Sequence, residues 1–115
     1  MKANIPENAQ DRAAFTYNAA ADCFDASPLS FWDYFGRRTI ELALLPIGSR
    51  VLDVCCGTGA SALPAAEAVG PKGHVVGVDL AKQLLELART KAIQRNLANI
   101  EFELGDMLSL RFPTA

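Results

Sequence analysis

The sequence has no apolar run approaching the ~20 residues that cross a bilayer, so no membrane span is expected. It has no basic run either: 11 Lys and Arg stand against 13 Asp and Glu, for a net charge of −2. Such a balance leaves no cationic stripe to follow a phosphate backbone, and nucleic acid is not an expected partner. Cysteine is scarce and odd in number, three in all with two adjacent, which argues against a secreted disulfide framework. Cys55 and Cys56 lack metal-pair spacing, and the single histidine, His74, lies 18 residues beyond them. No metal site is expected. The first residues carry Pro6, Glu7 and Asp11 where a secretory leader would be apolar. The expectation is a soluble, cytoplasmic chain.

What is present points to an α/β fold. Valines gather at 51–54 and 75–78, between alanine- and leucine-rich stretches. Short valine-rich runs between helical stretches are the pattern of a parallel sheet with covering helices. Two parts are expected: an N-terminal helical segment over 1–46, serving as a cap or lid, and a sheet-bearing part over 47–115. Residues 1–26 read as a lead followed by one short helix. Ser27-Pro28 and Ser30-Phe-Trp-Asp33 each offer a helix start. Over 28–45, Phe31, Phe35, Leu42 and Leu45 share one face and predict an amphipathic helix buried through it. The aromatic group Phe31, Trp32, Tyr34 and Phe35 is expected in the core rather than over a substrate.

Strands are expected at 50–54 and 74–79, both covered on two faces, and at 100–104, where alternation of apolar residues with Glu101 and Glu103 marks a wet edge. Helices are expected at 60–69 and 81–96. Pro64 is tolerable only near the start of the first, since in mid-helix it would cost ~3 kcal/mol. In the second, Ala81, Leu84, Leu85, Ala88 and Ala92 form the buried face. Right-handed crossovers give the spatial order 3-2-1, half of a doubly wound, Rossmann-like sheet.

The loop after the first strand carries the chemistry. Gly57-x-Gly59-x-x-Ala62 nearly matches the dinucleotide fingerprint, and Asp79 follows Gly59 by 20 residues at the end of the second strand. Glycines let the backbone approach a ligand, and an acid one strand over accepts from ribose hydroxyls. Asp53, four residues before Gly57, would repel a pyrophosphate but suits an ammonium or sulfonium. S-adenosylmethionine carries both groups and no phosphate. Two other readings stay open: half of an NAD(P)-dependent dehydrogenase, and an inactive truncated module that binds a nucleotide-like ligand.

Val51-Leu-Asp53-Val-Cys-Cys-Gly57-Thr-Gly59 resembles motif I of the class I S-adenosylmethionine-dependent methyltransferases. Val75-Val-Gly-Val-Asp79-Leu80 resembles the family's second strand with its ribose acid, and Gly105-Asp106-Met107 its adenine-contacting segment. The Cys-Cys form of the loop, with Phe24-Asp25 ahead of it, is similar to the ubiquinone/menaquinone-biosynthesis type. The resemblance implies S-adenosylmethionine as cofactor and a small-molecule or lipid-like methyl acceptor. It implies Asp53 for the methionine ammonium and the loop with Cys55, Gly57, Thr58 and Gly59 beside the methionine part. Asp79, with Leu80 next to it, would take the ribose, Asp106 the adenine amino group, and Met107 would pack near the ring. No catalytic residue is implied. The family's seven strands imply that this is an N-terminal portion, without methyl transfer of its own and open to self-association through strand one. Asp79 lies at a strand's end, so Asp79→Ala is expected to leave the fold intact.

Overall fold

The computed structural model describes residues 6–21 and 31–110. Expectations at Phe24-Asp25, Ser27-Pro28 and Ser30, and those beyond residue 110, lie outside the described residues. The order of elements is α1 (Ala9–Ala19), α2 (Phe31–Ala43), β1 (Arg50–Val54), α3 (Ala62–Val69), β2 (His74–Asp79), α4 (Lys82–Gln94), β3 (Ile100–Leu104) and a 3-10 turn (Met107–Ser109).

The three strands are parallel in the order β1-β2-β3. This is the expected Rossmann-like order. Register places Val51, Val75 and Ile100 side by side on one face, with Phe102 beyond them. α3 and α4 cover that face together: Ala62, Ala65, Ala66 and Val69 meet Leu85, Ala88 and Ala92 over Val75 and Phe102. Small residues on both helices let them sit close to the sheet, and their burial is the main stabilising term. Pro64 stands in the first turn of α3, where its missing N–H costs no helical bond. Gly70 closes α3 with a left-handed φ of 72°.

The opposite face differs from expectation. Leu52 and Val54 are 42% and 37% exposed, so β1 is covered on one face only among the described residues. Both crossover helices fall on the same side of the sheet, and a continuous apolar run does not reveal which of its faces is covered.

α2 is also turned over. Phe31, Phe35 and Leu42 are exposed, and the helix packs inward through Gly36, its only buried residue, and the partly buried Ile40. Phe31 and Phe35 meet edge to face with ring centroids 6.3 Å apart. The expected core role of the aromatic group does not hold: Phe31, Trp32, Tyr34 and Phe35 are all exposed. A close backbone approach has displaced hydrophobicity as the choice of face.

α1 is capped by Asn8, whose side chain accepts from the Asp11 N–H at 2.7 Å. At its other end Asn18 Oδ1 accepts from the Gln83 N–H at 3.0 Å. α4 has no cap from its own N-cap residue, Ala81, so Asn18 serves from a different helix. His74 lies 3.1 Å from Glu101 across neighbouring strands, a surface pairing.

Candidate functional site

The carboxyl ends of the three strands open into a cavity of about 520 Å³. Its size is that of a small-molecule site, and its position is the usual one in an open α/β sheet. The Cys56 N–H donates to the Val78 carbonyl at 3.0 Å, extending the ladder past β1. The chain then turns through three left-handed residues, Cys55 (φ 59°), Gly57 (φ 56°) and Gly59 (φ 89°). Glycine adopts this region without penalty, whereas Cys55 is strained there. The Gly59 N–H closes the turn on the Cys56 carbonyl at 3.0 Å.

Asp79 fastens this loop to the end of β2. Its Oδ2 accepts from the Gly57 N–H at 2.8 Å, and its Oδ1 accepts from the Ala81 N–H at 2.9 Å. A carboxylate makes the stronger class of hydrogen bond, and each oxygen keeps capacity to accept a further one. Asp79 thus joins the loop to the start of α4, beyond its place at the end of β2.

Asp53 points from β1 into the same cavity wall. Its Oδ2 is buried and has no hydrogen-bond partner. Burial first, then the charge of Asp79, pushes its carboxyl up to about 6, opposed by the backbone N–H of Ala62. An unpaired buried carboxylate oxygen is costly and calls for a cation. Asp106, after β3, accepts from the Leu108 N–H at 2.9 Å and so caps the 3-10 turn. Met107 in that turn is exposed, and its sulfur lies 3.6 Å from the Cys55 sulfur.

The two cysteines divide as loop and core. Cys55 is exposed and Cys56 buried. Burial, followed by the charges of Asp53 and Asp79, pushes the Cys56 thiol up to about 12. The Cys55 thiol is raised as well, by burial and then by Asp79, Asp53 and Asp106. Neither is an activated thiolate. No group of three metal-ligating side chains occurs among the described residues.

Asp53, Cys55, Gly57, Thr58, Asp79, Leu80, Asp106 and Met107 all line the cavity. Gly59 does not: a side chain there would press on Leu63, 3.0 Å away, so it spaces the loop from α3. The sequence did not single out the upper wall, where α1 contributes Gln10, Ala13 and Tyr17 and α2 contributes Trp32. α1 mixes alanine, aromatic and polar residues and gives no periodic signal, whereas Trp32 stood within the aromatic group weighed above. Three carboxylates line the cavity and, among the described residues, no Lys, Arg or His does. That field favours a cationic ligand and opposes a diphosphate.

Comparison with known proteins agrees with this geometry. A family model described as a methyltransferase domain matches residues 47–114. Aklanonic acid methyltransferase DauC of Streptomyces sp. (strain C5) is 37% identical over 97 residues, which cover 84% of this chain and 44% of that protein. Demethylmenaquinone methyltransferase of Listeria monocytogenes serotype 4a (strain HCC23) is 39% identical over 77 residues, covering 67% of this chain and 32% of the relative. The chain thus spans between about one third and one half of the length of these relatives. A SAM-dependent methyltransferase from Aquifex aeolicus shares the fold, with a TM-score of 0.68 at 24% identity over 84% of this chain and 50% of that one.

Proposed function

The chain belongs to the methyltransferase-domain family of class I S-adenosylmethionine-dependent enzymes, and from that premise we propose that its cavity holds S-adenosylmethionine. The observation that carries this reading is the partnerless, buried Oδ2 of Asp53. A methionine ammonium is the cation it lacks. Asp79, already fixed by two backbone N–H groups, accepts from the ribose hydroxyls with its remaining lone pairs. Asp106 accepts from the adenine amino group, and Met107 packs beside the ring. Cys55, Gly57, Thr58 and Leu80 close around the rest.

The bound cofactor would supply an electrophilic methyl group on a sulfonium. The chain's own residues orient and desolvate: the backbone of the 55–59 loop fixes one wall, and α1 with Trp32 shields the other from water. Positioning of this kind supplies much of the rate in a displacement reaction. No side chain of this chain is assigned a proton-transfer role.

For the acceptor we propose a small or lipid-like molecule with a flat apolar body, methylated in the cytoplasm. The upper wall offers Ala13, Tyr17 and Trp32, and the turn after β3 adds Leu108. The names of two relatives, aklanonic acid methyltransferase and demethylmenaquinone methyltransferase, support this class. Among the described residues no helix is long and apolar enough to cross a membrane. A dinucleotide cofactor is not favoured, since three carboxylates and, among the described residues, no Lys, Arg or His would face its pyrophosphate.

The test is calorimetric titration of S-adenosylhomocysteine, which keeps the ammonium, into the wild type and Asp53→Asn. A hydrogen bond to a charged group is worth ~1.5–3 kcal/mol, so the variant should bind about ten- to a hundredfold more weakly. Equal affinity would refute the role given to Asp53.

A further inference from the structure

We infer that Gly36 is a positioning residue, which holds the Trp32 indole over the cavity by letting α2 lie directly on the backbone of Ala60 and Ser61. This rests on the cavity being the cofactor site, and it adds the element that builds the acceptor side.

A Cβ at Gly36 would fall 2.1 Å from the Ala60 carbonyl oxygen, 2.3 Å from its carbon and 2.9 Å from the Ser61 nitrogen. All three are backbone atoms, so no side-chain rotation can relieve the contact. Gly36 is also the one buried residue of α2. Trp32 and Ile40 lie four residues to either side and so share its face. Along that face Trp32 lines the cavity, Gly36 touches the loop leaving it, and Ile40 packs on the core. The height of the indole above the cavity is therefore set one helical turn away, by the absence of a methyl group.

Which side yields to an added methyl follows from how each is held. The loop is fastened at Gly57 by Asp79, at Cys56 by the Val78 carbonyl, and at Leu63 and Ala65 by the carbonyls of Gly59 and Ser61. α2 meets this fastened loop through Gly36 and the core through Ile40, both on one face of the helix. α2 yields, pivoting on Ile40, and carries Trp32 away. The helix itself does not suffer, because alanine is a better helix former than glycine. Loss of the contact is thus separable from loss of the helix.

Trp32 is the sole tryptophan, so its emission reports this wall alone. The experiment measures acrylamide quenching of Trp32, with and without saturating S-adenosylhomocysteine, in the wild type, Gly36→Ala and Ile40→Ala. In the wild type the ligand should reduce quenching. Gly36→Ala should bind the ligand with near-wild-type affinity by calorimetry, yet show stronger quenching without ligand and no protection with it. Ile40→Ala, which removes core packing but not the close approach, should lower the thermal midpoint and keep both the wild-type level of quenching and the protection. Wild-type quenching in Gly36→Ala would overturn the assignment. So would an equal change in Ile40→Ala, since it would mark the effect as general loosening. If Gly36→Ala does not fold, the wild type still decides: a bound ligand that leaves Trp32 unprotected refutes its place over the cavity. No binding heat in the wild type would refute the cofactor reading instead, and the ligand-free comparison would still test Gly36.

Discussion

The Asp79 carboxylate accepts the Gly57 N–H at 2.8 Å and so ties the glycine loop after β1 to the end of β2. Its second oxygen holds Ala81 and with it the start of α4. One side chain thereby organises the turn that faces the cavity and the helix beside it. Bonds within the chain hold the loop in shape, which lowers the ordering cost of binding.

Asp79→Ala should therefore lose both function and stability. Affinity for S-adenosylhomocysteine should fall about ten- to a hundredfold and unfolding free energy by about 2 kcal/mol, from hydrogen bonds to a charged group worth ~1.5–3 kcal/mol each. Calorimetry and chemical denaturation check the two parts. Unchanged stability would show that the Gly57 contact contributes nothing.

The strands, their order and α4 were legible because each follows a simple period. Ala81, Leu84, Leu85, Ala88 and Ala92 are all buried, as their spacing demands. So was most of the site, since the acids and the loop lie at strand ends that the pattern marks. α2 was legible as a helix but not in its orientation. Its aromatic face is the more hydrophobic, yet it packs through Gly36, and a close backbone approach leaves no mark in hydrophobicity. The bonds from Asp79 to Gly57 and Ala81 were equally hidden, because their donors are backbone groups that every residue carries.

Cofactor affinity should depend on pH through Asp53. Its folded pKa is about 6, above the ordinary 3.8. The folded protein thus holds a proton that the unfolded chain has released between pH 4 and 6. Stability from this group is greatest below about pH 4, falls as pH rises to about 6, and is flat above. Asp53→Asn should remove that penalty and stabilise the ligand-free protein at pH 7 by on the order of 1–3 kcal/mol. A cationic ligand needs the carboxylate, so S-adenosylhomocysteine should bind more tightly as pH rises from 5 to 7. The slope should vanish in Asp53→Asn. A pH-independent wild type would contradict the assignment.

Strand pairing between copies is expected at β1. Leu52 and Val54 are exposed on a strand without Lys or Pro, at the edge of the sheet that the described residues form. β3, by contrast, carries Glu101 and Glu103. Light scattering after size-exclusion chromatography should show species above the monomer mass, and Val54→Lys should shift them toward it. A wild type that is monomeric at high concentration would exclude pairing through β1.

The most direct measurement is calorimetric titration of the wild-type chain with S-adenosylhomocysteine and, separately, with NAD⁺. A cavity lined by Asp53, Asp79 and Asp106 and, among the described residues, by no Lys, Arg or His predicts saturable heat from the first and none from the second. Tight NAD⁺ binding that Asp53→Asn strengthens, with no heat from S-adenosylhomocysteine, would contradict it.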